Sequence, residues 1–107
     1  MAIGPGLGRG VRSSQLLERV VNEHHARPLV LDADALNLLA AHPVLARRLA
    51  RRTSSTLITP HPAEAARLLD SSVENVQADR IANALELARR YRATVVLKGN
   101  GSIIASS

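Results

Sequence analysis

The alternation of strand-like and helix-like segments predicts an α/β fold: a mostly parallel sheet flanked by helices, with a C-terminal β-hairpin. Three observations carry this expectation. Short continuous apolar runs, such as P-L-V-L-D at 28–32, have the composition of strands buried on both faces. Stretches with apolar residues three or four positions apart lie between those runs, as in helices packed on a sheet. Gly99-Asn100-Gly101 separates the last two apolar runs, and Asn-Gly is a turn signal because it accepts positive φ.

Each element has its own local cause. Ser13 to about His25 places Leu16, Leu17, Val20 and Val21 on one helical face, with Ser13 or Ser14 as the N-cap. Pro28 opens the strand run. Asp34 to about Ala41 is helical, and Pro43 restarts a second short helix through Leu49. Thr56 to Thr59 is the next strand. Pro62 suits the first turn of a helix running to about Asp70. A long helix is expected from near Asn75 to Tyr91, with Ile81, Ala84, Leu85 and Ala88 on one face. Thr94–Lys98 and Ser102–Ala105 are strands on either side of the turn.

Composition bounds the function. A chain of 107 residues is one small domain or part of one, and at this size a core of its own is attainable. Tyr91 is the only aromatic residue, so aliphatic side chains must build that core. There is no cysteine, which excludes disulfides and thiolate chemistry, and no apolar run approaches a membrane span. A cytoplasmic setting is expected, with no membrane partner. The formal charge of +5 raises the question of nucleic acid. Arg47, Arg48, Arg51 and Arg52, and again Arg89, Arg90 and Arg92, fall at helix ends, where cations complement the helix dipole. No stacking aromatics accompany them, so a small anionic ligand is expected rather than nucleic acid.

Ligands of open parallel sheets bind outside the carboxyl ends of the strands, and four unusual segments fall at such ends. Gly4–Gly8 is either an ordinary tight turn or a backbone approach to phosphate or ribose. Asp32, Asp34 and Asn37 follow a strand; Asp34 fits a helix cap, and the group also fits polar contact with a ligand or a magnesium shell. In T-P-H-P-A-E, Glu64 is a first-turn acid that could also hold a magnesium-bound water, with His61 beside it. His24, His25 and His42 have no metal-ligand spacing and are expected on the surface. Lys98 is the sole lysine among 14 cationic residues. Its place against Gly99 and Gly101 suits a compact charge meeting phosphate.

Taken together, G-P-G-L-G (4–8), L-D-A-D-A-L-N (31–37), L-I-T-P-H-P-A-E (57–64) and V-V-L-K-G-N-G-S (95–102) resemble, in order and approximate spacing, the ADP/ATP-dependent NAD(P)H-hydrate dehydratases. These are YjeF C-terminal-type domains of ribokinase-like fold. The resemblance implies a repair enzyme that uses ADP or ATP to phosphorylate and so dehydrate the S form of hydrated NADH or NADPH, with Mg2+ as companion. By position it assigns the hydrate to Gly6, Gly8 and His61, Pro62, Ala63, Glu64, Ala65, Ala66 and Arg67. It assigns the nucleotide to Lys98, Gly99, Asn100, Gly101 and Ser102. Asp32, Asp34, Asn37 and Glu64 become candidates for polar or magnesium-shell contacts.

The resemblance also marks departures. Family members carry strands before the first glycine loop and a G-S-G-D segment after the hairpin, whose aspartate is the catalytic base and whose backbone makes an anion hole; neither is in this sequence. Residues 1–107 are therefore expected to be a single incomplete ribokinase-like domain, impaired or inactive alone, because phosphoryl transfer depends on such positioning and electrostatics. Two alternatives stand beside this reading. One is a non-catalytic nucleotide-binding or self-associating remnant, its incomplete sheet inviting a homo-oligomer. The other is a small-molecule kinase on the same fold.

Overall fold

The computed structural model describes residues 2–3, 11–23 and 27–107, with side chains at 15–22 and from 27 onward. Among these residues five strands form one sheet in the order of the sequence: β1 (Ala2–Ile3), β2 (Leu29–Leu31), β3 (Thr56–Ile58), β4 (Thr94–Leu97) and β5 (Ile103–Ala105). The first four are parallel and β5 returns antiparallel to β4. The expected parallel sheet with its terminal hairpin is thus the observed one.

Among the described residues, six helices fill the crossovers. They are α1 (Val11–Glu23), α2 (Asp34–Ala41), α3 (Pro43–Ala50), α4 (Pro62–Leu68), α5 (Val73–Ala78) and α6 (Arg80–Tyr91). Right-handed crossovers between strands that advance steadily across a sheet deliver every helix to the same face. Burial along the strands agrees. Leu29, Leu31, Thr56, Ile58, Val95, Leu97 and Ala105 are buried. The residues that alternate with them (Val30, Leu57 and Val96) are only half-buried, and Ile104 is 72% exposed. Register aligns Val30 with Leu57 and Val96 with Ile104, so these four apolar side chains share the uncovered face.

The aliphatic core lies between the other face and the helices, from Leu17 and Val21 of α1 to Leu36 and Leu39 of α2 and Leu87 of α6. Tyr91 is buried there too, its hydroxyl donating to the Leu68 carbonyl at 3.1 Å.

Three local expectations are corrected. The first helix starts at Val11, which puts Ser13 and Ser14 inside it rather than at its cap, and Leu16 is 46% exposed while Leu17, Val20 and Val21 are buried. His24 and His25 lie outside the described residues; His42 is exposed. The single long helix is two. Asp79 leaves helical geometry at φ −149°, ψ 80°, and its carboxylate accepts from the Ala82 amide at 3.1 Å, capping a new helix. The buried stripe of α6 is Ala84, Leu87, Ala88 and Tyr91, whereas Ile81 and Leu85 are 64% and 50% exposed. Asp34 is the first residue of α2, preceded by Ala33 at the cap with no side-chain cap bond.

Candidate active site

Parallel strands end on a common edge, and β2, β3 and β4 deliver three of the predicted segments to it. Asp32 follows β2, Thr59 and Pro60 follow β3, and Lys98 follows β4. Backbone bonds bind these exits together: Thr59 N–H donates to the Leu31 carbonyl at 3.2 Å and Lys98 N–H to the Pro60 carbonyl at 2.9 Å. Across them, Lys98 Nζ reaches Asp32 Oδ1 at 3.0 Å, although 66 residues separate the two. Burial pushes the Asp32 carboxyl up, but hydrogen bonds from Lys98, Thr59 and the Ala33 amide outweigh it and hold the group below its ordinary value. The Ala33 amide is 2.9 Å from Asp32 Oδ1. Ala33 has φ 48°, ψ −122°, a costly conformation for a residue with a Cβ, sited where the chain turns from strand to helix.

His61 and Glu64 form a reciprocal cap at the start of α4. His61 Nδ1 accepts from the Ala63 and Glu64 amides at 3.2 and 3.4 Å, and Glu64 Oε1 accepts from the His61 amide at 3.1 Å. Glu64 Oε2 stands 3.5 Å from His61 Nε2. Glu64 is 4% exposed, so its carboxylate faces the protein more than any cleft, while His61 is exposed. One turn on, Arg67 Nη1 donates to Asn37 Oδ1 at 2.7 Å, tying α4 to α2. Of the residues between, Pro62 and Ala63 are half-buried and Ala65 and Ala66 are buried.

The hairpin turn depends on its glycines and on a residue the sequence did not single out. Gly99 and Gly101 have φ 155° and 81°; Asn100 is not in the left-handed region. Arg80, the first residue of α6, donates from Nη1 to the Asn100 carbonyl at 3.2 Å and from Nη2 to the Leu97 carbonyl at 3.4 Å. A Cβ on Gly99 would lie 2.7 Å from Arg80 Nη2, so the glycine makes room for the guanidinium. An arginine at a helix N-terminus opposes the dipole, which was the available sign that tertiary contacts hold it there. Gly99–Ser102 are exposed, with Lys98 half-buried beside them.

The predicted magnesium-shell residues do not form a metal cage. Among the described residues no three His, Cys, Asp or Glu side chains group so as to hold an ion. Asp32 is engaged by Lys98, Glu64 by the His61 cap, and Asn37 Oδ1 by Arg67. Gly6 and Gly8, predicted to meet the hydrate, lie outside the described residues.

Comparison with known proteins places this arrangement. The family model for NAD(P)H-hydrate dehydratase, a carbohydrate-kinase-type family, matches residues 1–107. The chain belongs to the NAD(P)H-hydrate dehydratase family. The ADP-dependent (S)-NAD(P)H-hydrate dehydratase of Neisseria meningitidis serogroup B is 47% identical over 104 residues, covering 97% of this chain and 35% of the relative. The ADP/ATP-dependent dehydratase of Bacillus subtilis, solved after co-crystallisation with ATP and Mg2+, superimposes with a TM-score of 0.73 at 33% identity; the match covers 98% of this chain and 34% of that one. A ribokinase-like superfamily protein from Enterococcus faecalis gives a TM-score of 0.81 at 26% identity, covering 99% of this chain and 35% of its own. The fold is therefore ribokinase-like, and the chain spans about a third of the length of these dehydratase relatives.

Proposed function

We propose that these 107 residues are the nucleotide-holding part of a dehydratase that uses ADP or ATP to restore hydrated NADH or NADPH. The observation that carries the proposal is the Lys98–Asp32 pair at 3.0 Å, set where β2 and β4 end and beside the glycine turn 99–101. An ammonium partly exposed above a bare backbone turn suits the phosphates of an adenine nucleotide, with Gly99, Asn100, Gly101 and Ser102 following its contour. Asp32 keeps that ammonium oriented until phosphate replaces it. Mg2+, on this reading, arrives on the nucleotide phosphates rather than in a protein cage, since it needs only one or two protein ligands.

His61 to Arg67, with Gly6 and Gly8, make up the hydrate side. The His61–Glu64 cap and the Arg67–Asn37 bond stiffen this segment, leaving exposed His61 to meet the substrate. Neither Asp32 nor Glu64 suits a general base: the first is paired with an ammonium and the second is occupied by the cap. On this reading Asp32 orients Lys98 and Glu64 holds the His61 cap, and the 107-residue polypeptide alone turns over little or nothing.

Isothermal titration of the chain with ADP and with ATP, Mg2+ present, tests this. Lys98→Ala should weaken binding at least about tenfold, the scale of one charge-assisted phosphate contact. Unchanged affinity in the variant would overturn the proposal.

The uncovered apolar face supports a second property, self-association. Parallel sheets are ordinarily covered on both faces, and here no helix among the described residues lies above Val30, Leu57, Val96 and Ile104. Sedimentation velocity should show species larger than the monomer, and Ile104→Lys should return them to monomer. A monomer at every concentration would dismiss it.

A further inference from the structure

The opposite end of the sheet carries a concavity that shares only Arg67 with the residues the dehydratase reading assigns to its ligands. It has a volume of about 710 Å3 and lies among α2, α3, α4 and the residues that end α6. Arg90 to Arg92 precede β4, whereas Lys98 follows it, so this hollow and the Lys98 mouth lie toward opposite ends of the strands. Five arginines line it (Arg47, Arg51, Arg67, Arg90 and Arg92) against one carboxylate, Asp70. Its floor is apolar, with Leu39, Ala46 and buried Tyr91 among its residues.

Dipole matching accounts for each arginine in a last helical turn separately. It does not account for their convergence on one hollow, or for Arg92. Arg92 stands beyond the end of α6 at φ 49°, ψ 54°, a left-handed position that glycine usually fills and that strains a residue bearing a Cβ. Asp70, also in the lining, is at φ 52°. Two of the guanidiniums are already positioned: Arg67 by Asn37 at 2.7 Å, and Arg90 by the Leu68 carbonyl at 3.2 Å. The side chains of Arg47, Arg51 and Arg92 form no hydrogen bond or ion pair among the described residues. Arg47 in the last turn of α3 and Arg51, the residue that caps its end, are four positions apart, spaced to approach one anion together.

We propose that this hollow is a binding site for a small organic phosphate, a phosphate ester with a flat or apolar body. The volume falls in the range of small-molecule sites, roughly 300 to 1,000 Å3, and is too confined for a nucleic-acid groove or a protein helix to be the first choice. Guanidiniums around the rim take the phosphate through paired N–H donors, and the aliphatic floor takes the body. An inorganic phosphate would satisfy only the rim.

The test is a nitrogen-15 NMR titration of the whole chain with naphthyl phosphate, run beside inorganic phosphate. The expected result is saturable shifts of amides around Arg47, Arg51, Arg67 and Arg90–Arg92, with naphthyl phosphate at least about tenfold tighter than inorganic phosphate. The double variant Arg47→Gln/Arg51→Gln should weaken binding by about tenfold or more, and Lys98→Ala should leave it unchanged. Arg47 and Arg51 are both exposed, so the double variant should melt as the parent does, which separates lost binding from lost folding. Equal affinity for the two phosphates would reduce the hollow to a patch of charge and overturn the proposal. Shifts confined to other residues, or none, would overturn it as well.

Discussion

Asp32 and Lys98 make a contact that local sequence gives no reason to expect, and its energetics can be read from their exposure. The Lys98 side chain is 44% exposed and that of Asp32 30%, so water screens the pair and its stabilising effect is less than about 1 kcal/mol. Its pH dependence has a definite sign. The folded protein holds the carboxyl below its ordinary value of 3.8, so the contribution is present above that pH and lost as pH falls through the lower folded value. Denaturant unfolding across a pH series should show Asp32→Asn less stable than the parent near neutrality, with the gap closing below about pH 4. Gly101 gives a second expectation. At φ 81° an alanine is strained even though nothing lies within 4 Å of its Cβ, and Gly101→Ala should cost about 1 kcal/mol in the same assay.

Among the elements, α6 shows what periodicity leaves open. Ile81, Ala84, Leu85 and Ala88 have helical spacing, and Ala84, Leu87, Ala88 and Tyr91 have it equally. The sheet selects the second stripe, because α6 packs on β4 and β5 and buries Ala84, Leu87, Ala88 and Tyr91. Leu87→Ala should therefore destabilise by about 2 to 5 kcal/mol, while Ile81→Lys should change thermal stability by less than about 0.5 kcal/mol. The break at Asp79 was equally hard to foresee. Aspartate is tolerated within a helix, and only the φ −149° turn, with its bond to the Ala82 amide, makes it a cap. Pro43 and Pro62 were legible because proline has one favoured place in a helix, its first turn, and both occupy it. The three segments that follow β2, β3 and β4 were legible for a similar reason: their glycines, prolines and acids suit turns, and turns follow strands. How those segments bond was not legible. That Glu64 is buried and caps α4 could not be foreseen, and Arg80 was passed over although it holds the 98–101 turn.

At the scale of the molecule, strand order alone decides which surface is bare. Five strands in sequential order put every crossover helix on one face, and the other keeps Val30, Leu57, Val96 and Ile104 in view. The same order brings the exits of β2, β3 and β4 to one edge, where Asp32, Thr59 and Lys98 meet, and sends the arginines of α3 and α6 toward the other. The molecule thus has two chemically different ends: one lysine with a paired carboxylate and a glycine turn at the first, a ring of arginines over an apolar floor at the second. No described helix is long and apolar enough to cross a membrane.

Because both ends offer cationic side chains, the location of the nucleotide tests the account more directly than its affinity. The measurement is a nitrogen-15 amide map of the 107-residue chain titrated with ATP and Mg2+. Shifts centred on Lys98–Ser102, with Asp32 and Thr59 following and the pattern lost in Lys98→Ala, are the predicted result. Shifts gathered instead around Arg47, Arg51 and Arg92, with the Lys98 turn unmoved, would contradict it.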